Sequence, residues 1–290
     1  DLVTTVRVPR RTGDGWDTGP ISWPELGAAA DSLRITLPAG EPIDAEALDD
    51  LVRWSLRHVE RGRLQLGVGA QGRDLVDGTV TPISFGAALG HILDMARSDA
   101  PGQVAPGTGQ VIDLPTLEAA AFGWDESARL WRFKYWDDNR REHTIWLNDA
   151  SGLSSVFEVA ARYRLGRLVL DGGEAGLDPA VWDLARRFLA DGDTSAARTA
   201  YKLRWQLGDE SGRIVQEAVQ PLGESSFTMR APAATGTYRL TVNLVTEDDA
   251  VMALGEAALV AVAPMPAATA APTPLLIYMA PTPMPFTTAP

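Results

Sequence analysis

The sequence contains no cysteine, which excludes a disulfide framework and any thiolate-based metal or nucleophilic site. Histidine is almost as scarce. His58, His91 and His143 lie far apart with no carboxylate at ligand spacing, so no metal centre is expected. Basic residues are outnumbered, 26 lysines and arginines against 38 acids, for a formal net charge of −12. Nucleic-acid binding needs a cationic stripe and attachment to anionic lipid needs a polybasic segment, so this balance speaks against both. No stretch approaches the roughly 18–20 apolar residues that span a bilayer. Gly-x-Ser-x-Gly and the phosphate-loop pattern are absent too. Gly67-Val-Gly69-Ala-Gln-Gly72 formally matches the dinucleotide-binding pattern, but no helix opens at the last glycine, and loop glycines are the better reading. No cofactor is expected. The first residues, Asp1-Leu-Val-Thr-Thr, carry neither an initiator methionine nor a signal peptide and read as a processed or truncated end.

What is present suffices for packed cores: 290 residues, 45% of them hydrophobic, with nine tryptophans. As far as Asp191 short apolar runs alternate with helical periods. Strands are expected at Val3–Val8, Leu33–Leu37, Leu64–Val68 and Leu168–Leu170, and helices at Pro24–Ala30, Asp44–Glu60, Phe85–Arg97, Val156–Tyr163 and Pro179–Leu189. Strand and helix in alternation mean a largely parallel sheet. Within 130–148, Trp131–Tyr135 and His143–Leu147 alternate about the turn Asp137-Asp138-Asn139, the signature of a β-hairpin. Residues 192–200 turn small and polar, as a linker does. From 201 to 263 only strand patterns occur, as in Tyr201-Leu203-Trp205-Leu207 and Tyr238-Leu240-Val242-Leu244, which suggests a small immunoglobulin-like sandwich. Residues 264–290 carry no charge and are about a third proline, an extended tail without a core of its own. Its one strand-sized apolar run is Leu275-Leu276-Ile277-Tyr278-Met279. Flanked by prolines, that run suits either a linker or a donor strand added to a sheet edge, of its own chain or of a neighbouring copy.

The segment His143-Thr-Ile-Trp146-Leu-Asn-Asp149-Ala150, with Leu153, and Ala160-Ala-Arg-Tyr163-Arg-Leu165-Gly166 to Leu170 resembles the end of the glycoside hydrolase family 18, or chitinase-like, barrel. It is closest to the family's spore-cortex and cell-wall branch. Upstream, Val6-Arg-Val8-Pro9, Ala30-Asp31-Ser-Leu33 and Leu64-Gln-Leu66-Gly67-Val68 look like strands five, six and seven. The resemblance covers roughly residues 2–190 and implies the second half of a (β/α)8 barrel, with strands one to four missing. It also implies an acidic D-x-x-D-x-D-x-E signature at strand four, which occurs nowhere here. Where the family has Met-x-Tyr-Asp after strand six, Thr36, Leu37, Pro38 and Ala39 stand; Gln71 replaces a tyrosine, Asp171-Gly172 a sugar-floor tryptophan and Val156 a lysine. The matched scaffold survives while every sugar-touching position is altered, so no catalytic residue is expected.

The expected architecture is therefore α/β: a partial (β/α)8-type barrel over 1–191, an all-β immunoglobulin-like sandwich and an extended Pro-rich tail. The carboxylates Asp44, Glu46, Asp49 and Asp50 sit at helix-start spacing, where acids favour the dipole. Trp131, Trp136 and Trp146 are candidates for a sugar-stacking platform, with Trp136 the expected exposed ring because it breaks the alternation. A bare half-barrel is expected to leave a sheet edge and a large apolar face in water. Other copies of the chain, or a partner chain, would complete it and receive the tail. The leading expectation is a non-catalytic structural component of an extracellular or cell-surface assembly. The alternatives are a cell-wall or chitin-type glycosidase once an N-terminal half is present, and a glycan-binding wall module.

Overall fold

A computed structural model describes residues 2–13, 15–37, 44–96, 102–114, 122–137, 139–171, 176–255 and 257–264. The chain begins with β1 (Val3–Arg7), the small hairpin β2 (Arg10–Thr12) and β3 (Gly15–Asp17), α1 (Trp23–Ala29) and β4 (Ser32–Thr36). α2 (Ala45–Ser55) leads to β5 (Leu64–Gly69). An insertion follows: β6 (Gly72–Val76), β7 (Thr79–Ile83), α3 (Phe85–Met95), β8 (Gln103–Val104), β9 (Gly109–Asp113), β10 (Phe122–Asp125), β11 (Leu130–Trp136) and β12 (Glu142–Leu147). α4 (Ala150–Arg162), β13 (Arg167–Asp171) and α5 (Ala180–Asp191) then return to the first pattern.

β1, β4, β5 and β13 form one parallel sheet, and their spatial order is their order along the chain. Each crossover steps to the next strand, so right-handed connections place the helices on a single face. This is the winding of a barrel wall, not of a doubly wound sheet. The side chains agree. Val6, Leu33, Ile35, Leu64 and Leu66 share one core with Trp23 of α1, Leu48, Leu51 and Val52 of α2, Phe157 of α4 and Val181 and Leu184 of α5. Capping fixes where the helices begin: the Asp44 carboxylate accepts the Ala47 N–H at 2.7 Å, and the Ser84 hydroxyl accepts that of Ala87 at 3.2 Å.

The opposite face of the sheet corrects one expectation. Thr5, Arg34, Gln65 and Arg167 lie in register across the four strands, with Arg7, Thr36, Gly67 and Val169 in the row two residues on. Because side chains alternate, these rows point away from the helices, so among the described residues the uncovered face of the sheet is mainly polar and not a large apolar face. The sheet edges are as expected, since β1 and β13 each pair on one side only among the described residues.

The C-terminal region is all β, with β14 (Lys202–Gly208), β15 (Ile214–Pro221), β16 (Ser226–Arg230), β17 (Gly236–Val245), β18 (Val251–Leu254) and β19 (Ala258–Val262). It is not a self-contained immunoglobulin-like module. Its main sheet runs β15-β14-β17-β19-β8, ending on a strand of the insertion, and β16 pairs with β9 of the insertion. The insertion's own sheet, β10-β11-β12-β6-β7, packs into the same core: Phe122, Trp131, Phe133 and Ile145 join Tyr201, Leu203, Trp205, Phe227 and Leu240. The boundary expected near residue 200 therefore cuts through one hydrophobic core. Residues 192–200 contain neither helix nor strand, and the Arg198 guanidinium lies 4.9 Å from the Trp131 ring centroid. The apolar run 275–279, with Leu275, Leu276, Ile277, Tyr278 and Met279, lies outside the described residues.

Removing residues 201–264 would expose Phe122, Trp131 and Phe133 together. The shortened chain is expected to bind ANS and to lose near-UV circular dichroism from its tryptophans. A native-like near-UV spectrum would mean that the insertion folds alone.

Candidate functional site

The carboxyl ends of the parallel strands meet the base of the insertion sheet. Ala70 N–H donates to Asp171 O at 2.8 Å, Leu37 N–H to Gly67 O at 3.0 Å, and the Asn148 side-chain amide to Gly69 O at 2.7 Å. Two of the glycines in the loop pattern have a steric cause here. A Cβ on Gly67 would stand 3.2 Å from Arg34 Cδ and 3.3 Å from Asp171 Oδ2, and one on Gly72 would stand 2.7 Å from the Trp146 carbonyl oxygen. The glycine spacing therefore serves close strand packing, not phosphate binding. Pro38, Ala39 and Gly172, three of the altered family positions, lie outside the described residues.

The insertion sheet has two unlike faces. Trp131, Phe133 and Tyr135 point into the shared core, while Arg132, Lys134 and Trp136 point out of it. The three tryptophans read together from the sequence separate accordingly. Trp131 is buried, donates its indole N–H to Thr199 O at 2.8 Å and stacks on Phe122 at 4.8 Å. It belongs to the core and not to a platform. Trp136 is 66% exposed on the outer face. Trp146 is on that same face, in register with Arg132 on one side and Arg73 on the other, yet only 6% exposed. The two outer rings are four residues apart along the ladder, about 13 Å at strand rise.

Titratable groups gather at two other places. Asp149 has no exposed surface and caps α4: Gly152 N–H reaches its carboxylate at 2.9 Å, the Ser151 hydroxyl at 2.6 Å and the Tyr201 hydroxyl at 3.2 Å. Burial pushes its carboxyl above the ordinary value of 3.8, and the neighbouring Asp178 charge adds to the effect. Asp178 is buried too and accepts the backbone N–H groups of Ala150 and Ala180 at 2.9 and 3.0 Å. The donors around both acids come from helix ends and from Tyr201, so the pair forms a structural joint. The second place is a stack of rings, with Tyr135 between His91 at 4.9 Å and His143 at 4.6 Å. His143 Nδ1 lies 2.9 Å from Asp74. Burial, with the charges of Asp74 and Asp137, pushes the Tyr135 hydroxyl up to about 12.

Asp44, Asp49 and Asp50 of the helix-start carboxylates have structural partners. Asp49 binds Arg53, Arg162 and the Tyr163 hydroxyl, tying α2 to α4; burial acts to raise its pKa, but those hydrogen bonds hold it below the usual value. Asp50 pairs with Arg11 at 3.0 Å. Among the described residues, no group of three or more His, Cys, Asp or Glu side chains is arranged to hold a metal ion.

No family model and no curated protein matches the chain. Among solved structures it is similar to the spore cortex-lytic enzyme SleL of Bacillus megaterium, with 18% identity over 63% of this chain and 40% of that one and a TM-score of 0.45. The corresponding Bacillus cereus enzyme gives 15% identity over 62% and 40%, with a TM-score of 0.46. A chitinase of Chromobacterium violaceum gives 20% over 65% and 55%, also with 0.46. The chain spans less than two thirds of the length of each.

The buried acid has a pH signature. Its folded-state pKa lies above its unfolded value, so the folded state binds more protons, and stability falls as pH rises through the raised value. Between about pH 4 and pH 7, the urea midpoint of the protein is expected to fall more steeply than that of Asp149→Asn, which keeps the cap without the charge. Identical slopes would mean that Asp149 is not destabilised by its burial.

Proposed function

We propose that the chain is a glycan-binding piece of a chitinase-like barrel, in which the insertion sheet forms a recognition wall and the general acid is not supplied. The observation that carries this reading is the outward placement of Trp136, a flat ring 66% exposed on a strand whose other side packs into a core. A ring with one face in water suits the apolar face of a sugar. The fold argument is independent of the ring. Four strands wound in chain order, with the insertion between β5 and α4, place that sheet at the carboxyl ends, where parallel α/β folds bind their ligands. The resemblance from His143 to Leu170 points to cell-wall or chitin-like glycans. Such polymers lie outside the cell, so the reading places the protein in the extracellular space or on the cell surface. No helix among the described residues is long and apolar enough to cross a membrane.

The open edges favour a second reading. β13 carries a cavity of about 440 Å³ beside it, lined by Phe157, Leu165, Leu168 and Phe188, and Leu189 of α5 is 82% exposed. Four further strands from another segment or chain would close the wall there and at β1. They would also bring the acidic signature of a glycoside hydrolase. The intact mass and N-terminal sequence of the natural product decide between the two readings. A structural role in a filament or surface layer rests on the tail, and no observation among the described residues favours it.

Retention on insoluble chitin and on peptidoglycan tests the first reading. The chain is expected to be held without releasing soluble sugar, and Trp136→Ala to weaken the binding about tenfold, which corresponds to roughly 1.4 kcal/mol. Release of soluble fragments by this chain alone would overturn the non-catalytic assignment. Failure to bind either polymer would overturn the recognition role.

A further inference from the structure

Among the described residues, two donors on the outer face of the insertion sheet have no partner. Trp146 is 6% exposed, and its indole N–H has no hydrogen-bond partner. Arg73 stands opposite it on β6, in register, so the two Cβ atoms are about 5 Å apart on one face. Arg73 is half-buried, and burial holds its pKa below the ordinary value. Among the described residues no hydrogen bond or ion pair reaches it. A desolvated guanidinium without a counter-charge is costly, and natural structures pair such groups as a rule.

The acids nearest in the sheet are already engaged. Asp74, the next residue, points to the other face and binds His143 at 2.9 Å. Asp137 binds Arg141 at 2.7 Å, and Glu142 binds Lys134 at 2.6 Å. On the other flank of Trp146 stands Arg132, exposed, whose charge acts on Asp125; Asp125 itself accepts from Ser127 and Ala128. Three adjacent strands thus present Arg73, Trp146 and Arg132 side by side on a protein whose formal net charge is −12. The row begins where β6 leaves the carboxyl end of β5, beside Gly69.

We propose that this row is a subsite for an acidic sugar, a glycan unit bearing a carboxylate, held between the two guanidiniums across the Trp146 ring. Arginine is suited to the task because its planar fork matches a carboxylate with two parallel hydrogen bonds. The inference rests on the glycan-binding reading and narrows it: Trp136 offers a surface to any sugar, whereas the row discriminates by charge.

The test compares a hexuronic-acid oligosaccharide with its carboxyl-reduced, neutral counterpart by titration calorimetry on the full chain. At low salt the acidic form is expected to bind at least tenfold more tightly, with the advantage shrinking as salt rises. Arg73→Gln is expected to abolish that preference. Because it removes an uncompensated buried charge, it is also expected to leave the urea midpoint equal or higher; a lower midpoint would mean that Arg73 is structural and would overturn the proposal. In ¹⁵N spectra the indole resonance missing from Trp146→Phe is expected to shift on adding the acidic sugar and not on adding the neutral one. Equal affinity for both sugars would overturn the subsite and leave glycan binding standing. No affinity for either, together with no retention on chitin or peptidoglycan, would remove the recognition role and the subsite together.

Discussion

The arrangement depends on one buried carboxylate. Asp149 ends the insertion, begins α4 and receives the hydroxyl of Tyr201, the residue that opens the C-terminal strands. A carboxyl group without any exposed surface must have its hydrogen bonds filled, and among the described residues the cap of its own helix and that tyrosine fill them. Helix α4, the end of the insertion and the start of the C-terminal strands therefore meet at this group. Around it the aromatic cluster of Phe122, Trp131 and Tyr201 closes, with Arg198 laid over Trp131. Once Trp131 is fixed inward, period-two alternation turns Arg132, Lys134 and Trp136 outward. The character of the candidate site is thus settled by packing on the opposite side of the same strand.

Much of this was legible locally. The alternation of Leu203, Trp205 and Leu207 marks β14, the spacing of Leu48, Leu51, Val52 and Ser55 marks the buried face of α2, and the break in alternation at Trp136 marks an exposed ring. The β6–β7 hairpin was legible but is absent from the elements expected from the sequence. Its turn is Asp77-Gly78, with φ of +49° and +74°, the dipeptide that suits a two-residue hairpin turn. The polar inner face of the barrel wall was also written in the alternation of Leu33, Arg34, Ile35 and Thr36. It was obscured by the expectation that a bare half-barrel leaves a large apolar face in water.

Other features were not legible in principle. β8 is two residues long and exists as a strand because β19 lies beside it; β9 finds its partner in β16. No local pattern encodes a pairing with a segment that far along the chain. Arg73 is a similar case. In sequence it is one arginine beside an aspartate, and only the registers of β6 and β12 show that the aspartate faces away and that Trp146 stands next to it.

The pairing of β8 with β19 and of β9 with β16 also bears on how the protein is made. The insertion leaves the ribosome well before the strands that cover it, and its apolar face stays unpaired until translation has passed Val262. Vectorial synthesis therefore cannot complete the two regions one after the other. The last hydrophobic contacts close loops of great length, a topology that folds slowly and lengthens the interval in which nascent chains associate.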